Sequence, residues 1–271
     1  MRPADRPIGV FDSGLGGLTV LKEIMARLPM ENTVYFGDSG RTPYGSKSPE
    51  TIAKYARQIV RFLQEQQVKM IVIACNTVSA CASDIVRECA GVPVVEVISP
   101  GAAAAAQTTR NSRIGVIGTR NTVASEVYIR AIRKETGELA EIYQQACPMF
   151  VSLAEEGWWN TSITRAIAAE YLQPLLDRGI DTLLLGCTHY PLLSAAIAAV
   201  TGPDVRQINA GSRVAEQVRQ TLAADGLLNS GEQKSHRSFF TSDSVSQFRQ
   251  MGSSFLEQTV GDVRLIDIEQ Y

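Results

Sequence analysis

The sequence predicts an α/β protein made of two similar α/β lobes with mostly parallel sheets. Short apolar runs rich in Val, Ile and Leu alternate along its 271 residues with segments of helical length, as in parallel sheets covered by helices on both faces. Several runs recur further along the chain, as expected of duplicated halves. Because ligands of such sheets bind beyond the carboxyl ends of the strands, we expect an active site in the cleft between the lobes.

Seven apolar runs are predicted to be strands, with helices between them. The clearest helical patterns span residues 48–67 and 121–136. The strand runs are IGVF from residue 8, TVYF from 33, MIVIA from 70, VPVVEV from 92, RIGVIG from 113, TLLLG from 182 and VRQI from 205.

An internal repeat predicts how the chain divides into domains. IGVFDSG resembles RIGVIGT, IVIACNT resembles LLLGCTH, and VPVVEVISPG resembles PDVRQINAGS, at offsets of roughly 105 to 112 residues. SPG at 99–101 and NAG at 209–211 mark the predicted crossings between lobes. The helix and two short strands predicted after the second crossing would complete the first lobe. We therefore predict a discontinuous first domain, residues 1–98 plus 210–271, and a second domain, residues 99–209.

Composition limits the class of partner. The net charge of -2 and the pI near 5.8 argue against nucleic acid or an anionic membrane, either of which favours a basic face. The apolar runs are too short for a signal peptide or a membrane span, so we expect a cytoplasmic protein. Five cysteines without CxxC spacing predict reduced thiols rather than a disulfide framework or a zinc knuckle. A small molecule or another protein remains as partner.

The segment DSGLGGLT, residues 12–19, follows the first predicted strand and opens a helix. Its glycines allow close backbone approach, and the N–H groups at a helix start attract an anion. The spacing fits neither the dinucleotide fingerprint nor the phosphate loop, so a carboxylate is the expected ligand. The alternative is that Asp12 or Ser13 only caps the helix.

The segment YFGDSGRTPYGSKSPE, residues 35–50, supplies a strand end and then a polar loop containing Pro43, Tyr44 and Gly45. Ser48 followed by Pro49 predicts the start of the next helix. The loop is either a plain connection or, because it leaves the carboxyl edge of a strand, part of a ligand site.

Cys75 and Cys187 stand apart from the other three cysteines. Each follows an apolar strand run, precedes a predicted helix start and has polar neighbours, and a helix N-terminus lowers the pKa of a thiol. Two such cysteines at matching places in two similar lobes indicate a paired function. Cys81, Cys89 and Cys147 lie among apolar residues and are predicted to be small apolar fillers.

One histidine and a pair of glutamates are further candidates. His189 lies two residues after Cys187, where an imidazole can assist proton transfer; the alternative is a packed, hydrogen-bonded histidine. For Glu155 and Glu156, surface charge is the commoner reading of the residues alone.

Three kinds of chemistry would use these thiols. Cys75, Cys187 and His189 could hold a catalytic zinc, or Cys187 could be a nucleophile with His189 as its base. In the third, one thiol removes a proton from a stereogenic carbon while the other protonates the opposite face. The third reading favours a racemase, because two enantiomers call for two similar half-sites, which the repeat supplies.

Four segments carry a family resemblance across essentially the whole chain. DSGLGGLTV, YFGDSGRTPYG, IACNTVSA and LLLGCTHYPLL resemble, in this order, the motifs of the glutamate racemases within the aspartate/glutamate racemase family. ACNT is typical of the wider family, whereas GCTHYP is more specific, since aspartate racemases carry an acidic residue at the position of His189. The resemblance implies a cofactor-independent enzyme that supplies D-glutamate for peptidoglycan.

The resemblance also implies roles for individual residues. Cys75 and Cys187 would be the two proton donor/acceptors, assisted by Asp12, His189 and a glutamate that we assign to Glu155. The residues implied to bind or position the substrate are Asp12, Ser13, Pro43, Tyr44, Gly45, Asn76, Thr77, Thr188 and His189.

The implied partners and cofactors are few. The substrate would be L- or D-glutamate, the enzyme a homodimer, and neither nucleic acid nor membrane a partner. Because no lysine lies in the strand-end motifs to form a Schiff base with pyridoxal phosphate, we expect catalysis without that cofactor and without metal. Some members of the family inhibit DNA gyrase, so a regulatory or amino-acid-binding role, or racemisation of a related amino acid, is the alternative function.

Overall fold

The computed structural model describes residues 2–229, 231 and 235–271. Within this part of the chain there are ten β-strands and eleven α-helices. The strands are β1 (Ile8–Asp12), β2 (Thr33–Gly37), β3 (Met70–Ile73), β4 (Val94–Glu96), β5 (Arg113–Gly118), β6 (Glu141–Ala146), β7 (Thr182–Gly186), β8 (Arg206–Ile208), β9 (Arg237–Thr241) and β10 (Val263–Leu265). The helices are α1 (Leu18–Arg27), α2 (Pro49–Glu65), α3 (Asn76–Ala90), α4 (Ile98–Thr108), α5 (Arg120–Ala124), α6 (Val127–Thr136), α7 (Met149–Glu155), α8 (Ser162–Leu176), α9 (Ser194–Thr201), α10 (Gly211–Ala224) and α11 (Val245–Leu256).

The chain divides into two compact units. One contains the residues up to Val97 together with Gly211–Tyr271, and the other is Ile98–Ala210. SPG at 99–101 lies inside the first turn of α4, where a proline is tolerated because its missing N–H would have no helical partner. The domain bounds predicted from the sequence stay a prediction.

The first unit contains a six-stranded parallel sheet in the order β10-β9-β2-β1-β3-β4. β1, β2 and β3 are buried along their whole length, which explains their continuous apolar runs, since helices cover both faces. Phe11 and Ile73 pack on one face with Ile59 of α2 and Val78 of α3.

The second unit contains a four-stranded parallel sheet in the order β6-β5-β7-β8. This is the order β2-β1-β3-β4 of the first sheet, with β5, β7 and β8 in the places of β1, β3 and β4. The prediction of two similar α/β lobes with mostly parallel sheets is therefore confirmed.

Two elements of the second unit differ from the sequence prediction. β6 was missed, because it is an edge strand of only half-buried residues and lacks an apolar run. The helix predicted over residues 121–136 is divided into α5 and α6 at Glu126, whose φ of 53° lies in the left-handed region. No helix in the described ranges is long and apolar enough to cross a membrane.

Candidate active site

The carboxyl edge of the first sheet brings the first group of predicted residues together. Asp12 is the last residue of β1, and Cys75 occupies the position just before α3. The Cys75 thiol donates a hydrogen bond to the Ser13 hydroxyl over 3.5 Å, and all three side chains are buried. Parallel strands end at one edge, so residues far apart in sequence become neighbours there.

Asp12 is held in a tight turn rather than at a helix start. The Gly14 N–H donates to Asp12 Oδ2 over 3.1 Å, and α1 begins only at Leu18, with Gly17 before it and no side-chain cap. The alternative that Asp12 or Ser13 merely caps the helix is therefore wrong. A Cβ on Gly17 would lie 2.5 Å from Asp12 Cβ, so glycine is required for this close approach.

Tyr35 of β2 supports this turn from within the sheet. Its buried hydroxyl donates to the Gly14 carbonyl over 2.8 Å. Burial raises the pKa of Tyr35 well above its ordinary value, and the charges of Asp12 and Cys75 add to this rise. The phenol therefore stays neutral and remains a donor.

The environment of Cys75 reverses one expectation. Burial raises the pKa of its thiol to about 12, and the charge of Asp12 adds to this rise. Hydrogen bonding with Ser13 and with the Val78 N–H lowers the pKa of the thiol but is outweighed. The predicted lowering of the pKa by the helix N-terminus is wrong, because desolvation dominates in this buried position.

The remaining first-unit candidates flank these groups. Asn76 and Thr77 form the buried first turn of α3, directly after Cys75. The loop after β2 carries Tyr44, whose buried hydroxyl donates to the carboxylate of Asp38. Pro43 is exposed and Gly45 half-buried. As predicted, α2 begins at Pro49 with the Ser48 side chain accepting from the Thr51 N–H.

The second unit places Cys187, Thr188 and His189 in a turn directly after β7, all of them buried. His189 Nδ1 lies 3.8 Å from Cys187 Sγ, and His189 Nε2 lies 3.1 Å from Glu155 Oε1. The imidazole thus connects a thiol with a carboxylate, an arrangement that can move a proton at sulfur.

Of two adjacent glutamates, α7 brings Glu155 into contact with His189. Glu155 is the last residue of this helix, half-buried and bonded to His189. Glu156 is exposed. Burial alone lowers the pKa of His189, but the hydrogen bonds to Cys187 and Glu155 outweigh burial and raise it from 6.5 to about 10. His189 is therefore protonated at neutral pH.

The two cysteines are not in identical settings. Cys75 directly precedes an α-helix, whereas Cys187 is followed by a turn and a short 3-10 helix, Tyr190–Leu193, before α9 begins at Ser194. The helix predicted after Cys187 thus begins as this 3-10 helix, and the α-helix starts only at Ser194. The polar groups next to the two thiols therefore differ. Cys75 is followed by the first N–H groups of an α-helix, whereas Cys187 lies next to the charged imidazole of His189.

Two threonines after β5 escaped the sequence analysis. Thr119 directly follows β5, as Ser13 follows β1, and Thr122 lies in α5. Both threonines are buried, with their hydroxyl oxygens 3.0 Å apart. The repeat itself was the available signal, because RIGVIGT ends on Thr119. These hydroxyls can donate to an anionic ligand.

The other cysteines do not join either group as a ligand set. Cys147 is a buried member of the second core and Cys81 packs against the first, as predicted. Cys89 is exposed on α3, so the prediction that it is an apolar filler is wrong. Among the described residues no three His, Cys, Asp or Glu side chains are grouped so that they could hold a metal ion.

Comparison with known proteins places this arrangement in one family. The family model for Asp/Glu/hydantoin racemase matches residues 8–218. The glutamate racemases of Chlorobaculum tepidum and Geobacter metallireducens are 48% and 45% identical over 264 residues, covering 97% of each chain. The crystal structure of the Francisella tularensis glutamate racemase in complex with D-glutamate has a TM-score of 0.93 and 40% identity, covering 99% of this chain and 100% of the other.

Proposed function

The chain belongs to the Asp/Glu/hydantoin racemase family, and from this membership we propose that it interconverts L- and D-glutamate by transferring the α-proton between two thiols. It is an amino-acid racemase, and its curated relatives are glutamate racemases. The observation that carries the mechanism is the duplicated setting of Cys75 and Cys187, each just beyond a strand of equivalent position in its sheet.

In the proposed reaction both half-sites act on one substrate molecule. One sulfur, as the thiolate, takes the α-proton as the C–H bond breaks, and the other thiol transfers its proton to the opposite face of the carbanion. The electron pair of the broken bond stays on carbon and forms the new C–H bond, so no oxidant or reductant is needed. The reverse reaction exchanges the roles of the sulfurs.

Each thiol has its own assisting group. Asp12 lies beside Cys75, and His189, held by Glu155, lies beside Cys187. The protonated imidazole places a positive charge beside the Cys187 sulfur. Cys75, with its raised pKa, is a proton donor in the substrate-free enzyme, and a bound ammonium group that neutralises Asp12 would make its thiolate accessible.

The residues that flank each thiol in its own unit would bind the amino acid. We assign this role to Ser13, Tyr44, Gly45, Asn76, Thr77 and Thr188, with Pro43 shaping the loop. Preorganised N–H and O–H donors stabilise the charge that develops on the α-carboxylate when the proton leaves. No step calls for pyridoxal phosphate or metal.

The biological setting is part of the same proposal. A cytoplasmic homodimer would supply D-glutamate for peptidoglycan, and the D-glutamate bound by the Francisella tularensis relative supports the choice of substrate.

The decisive test is circular dichroism of L-glutamate and, separately, D-glutamate with purified protein, reductant and chelator but no added cofactor. Decay of both signals to zero is expected. A stable signal for glutamate together with decay for aspartate would show that aspartate is the substrate. No decay for either amino acid would indicate a binding or regulatory protein instead of an enzyme.

A further inference from the structure

A wholly buried carboxylate at the active edge of the first sheet has no part in the proposed proton transfer. Asp38 follows β2, and its oxygens accept hydrogen bonds from the Tyr44 hydroxyl, from Ser242 Oγ over 2.7 Å and from Arg41 Nε over 2.7 Å. With these donors on both oxygens, Asp38 fixes the loop that carries Tyr44 rather than acting on a proton.

Arg41 connects this carboxylate with the end of the chain. Its guanidinium lies 3.9 Å above the Tyr55 ring, and its NH1 donates to Gln58 over 2.6 Å and to Glu269 over 3.0 Å. A guanidinium is planar and holds several acceptors in fixed directions. The Arg41 side chain is only 11% exposed, so these contacts are largely shielded from water.

Glu269 is itself anchored to the first unit. It lies in the short helix Ile268–Gln270 at the end of the chain, and Ile268 is buried in the core beneath α2. Gln58 Nε2 donates to its second oxygen over 3.3 Å, and Arg61 binds the Tyr271 carbonyl over 2.8 Å. The C-terminal turn is therefore a fixed support for Arg41.

We propose that Arg41 is a positioning residue for substrate binding and that Glu269 at the C-terminal turn is its anchor. Through Asp38, the C-terminal turn sets the place of the Tyr44 loop. The inferred role in substrate binding rests on the proposed function, whereas the inferred role in holding the Tyr44 loop does not. Loss of the guanidinium would leave the buried Asp38 carboxylate without its cation. The carboxylate would then reorient and release the Tyr44 hydroxyl.

Four variants separate this role from general destabilisation. Arg41→Met removes the connection, and Glu269→Ala removes its anchor at a side chain that is 56% exposed, so folding is preserved. Lys54→Met is the matched control, because Lys54 pairs with the same carboxylate at 3.6 Å but does not contact Asp38. Arg41→Lys keeps the positive charge but loses the planar guanidinium that donates to several acceptors in fixed directions.

Two readouts are measured for each protein. Hydrogen exchange of residues 38–47 without substrate should quicken by about tenfold in Arg41→Met and Glu269→Ala, the loss of one charge-assisted hydrogen bond. The KM for D-glutamate should rise by about tenfold with kcat changed by less than about twofold, as for lost ground-state binding. Lys54→Met should match the wild type in both, and Arg41→Lys should lie between.

The outcomes are distinguishable. If hydrogen exchange of residues 38–47 is unchanged in Arg41→Met, the proposal is wrong whether or not the protein is a racemase. Faster exchange with an unchanged KM overturns the positioning role. If the wild-type protein has no racemase activity, the proposed function is wrong, and so is the effect on KM inferred here. Hydrogen exchange of residues 38–47 still tests whether Arg41 holds the Tyr44 loop in place.

Discussion

Glu155 Oε1 accepts a hydrogen bond from His189 Nε2 over 3.1 Å, while the opposite ring nitrogen of His189 faces Cys187 at 3.8 Å. The carboxylate and the thiol are thus joined through one imidazole. Because both neighbours favour the charged ring, the pKa of His189 rises to about 10 despite burial. The half-site around Cys187 therefore contains a cation at neutral pH.

Replacing Glu155 by Gln should slow racemisation and change its pH dependence. Loss of a hydrogen bond to a charged group should lower kcat by about tenfold to a hundredfold. Since the pKa of His189 falls in the variant, its activity should decline at a lower pH than that of the wild type. Full pH–rate profiles measure both effects. Glu156→Gln is the matched control and should match the wild type; a larger loss in that variant would transfer the role to Glu156.

The same contact should make stability depend on pH. A histidine whose pKa is raised on folding stabilises the native state fully below about pH 6.5, and this contribution is lost as the pH rises to about 10. Urea unfolding at pH 6.5 and pH 10 should therefore show a larger loss in wild type than in Glu155→Gln, by about 1.4 kcal/mol for each unit of pKa shift removed. Equal losses in the two proteins would contradict the link between Glu155 and the His189 pKa.

The raised pKa of Cys75 should be visible in alkylation. With a pKa of about 12, the rate of iodoacetamide modification of Cys75 without substrate should rise about tenfold per pH unit from pH 8 to 11, since the thiolate is the nucleophile. Mass spectrometry of the Cys75 peptide gives this slope, which does not depend on how accessible the sulfur is. Asp12→Asn should quicken the reaction at pH 8. A plateau below pH 9 would show that burial does not control this thiol.

Each thiol should be indispensable for racemisation. Cys75→Ser and Cys187→Ser should both reduce the rate by about a thousandfold, because a hydroxyl is far too weak an acid and base for this transfer. D-glutamate should still bind to each variant within about threefold of the wild-type affinity, as measured by calorimetry. Cys89→Ser, at an exposed position, should behave as wild type. Wild-type racemisation in either active-site variant would refute the two-thiol mechanism.

A buried ion pair at the opposite edge of the first sheet should affect stability alone. Lys69 precedes β3 and pairs with Glu31, their side chains being 1% and 3% exposed. Lys69→Met would leave a buried carboxylate without its cation and should lower the free energy of unfolding by about 3 to 5 kcal/mol. Urea unfolding measures this loss, and the KM of the folded variant should not change.

The comparison for this prediction is an exposed pair. Arg87 and Asp84 of α3 are 45% and 91% exposed, and Arg87→Met should change stability by less than about 1 kcal/mol. If Lys69→Met and Arg87→Met lose similar amounts of unfolding free energy, burial does not increase the cost of breaking the ion pair between Lys69 and Glu31.

The sequence alone determined the type and position of the central elements. β1, β3 and β7 are buried on both sides, so their residues must be apolar, and this requirement is visible as continuous runs. It also placed Asp12 at a strand end and Cys75 and Cys187 just beyond strand ends, because parallel strands turn into polar loops there. These features depend on residues that are neighbours in the chain.

Only the tertiary structure decided which groups interact at the site. Glu155 and Glu156 are equivalent in sequence, and the ending of α7 selects one of them for His189, 34 residues away. The Cys75 pKa is set by desolvation in the folded sheet and by Asp12 from another strand, and Arg41 meets Glu269 across 228 residues. Local patterns encode burial and periodicity, whereas charge, pKa and hydrogen-bond partners depend on atoms that only folding brings together.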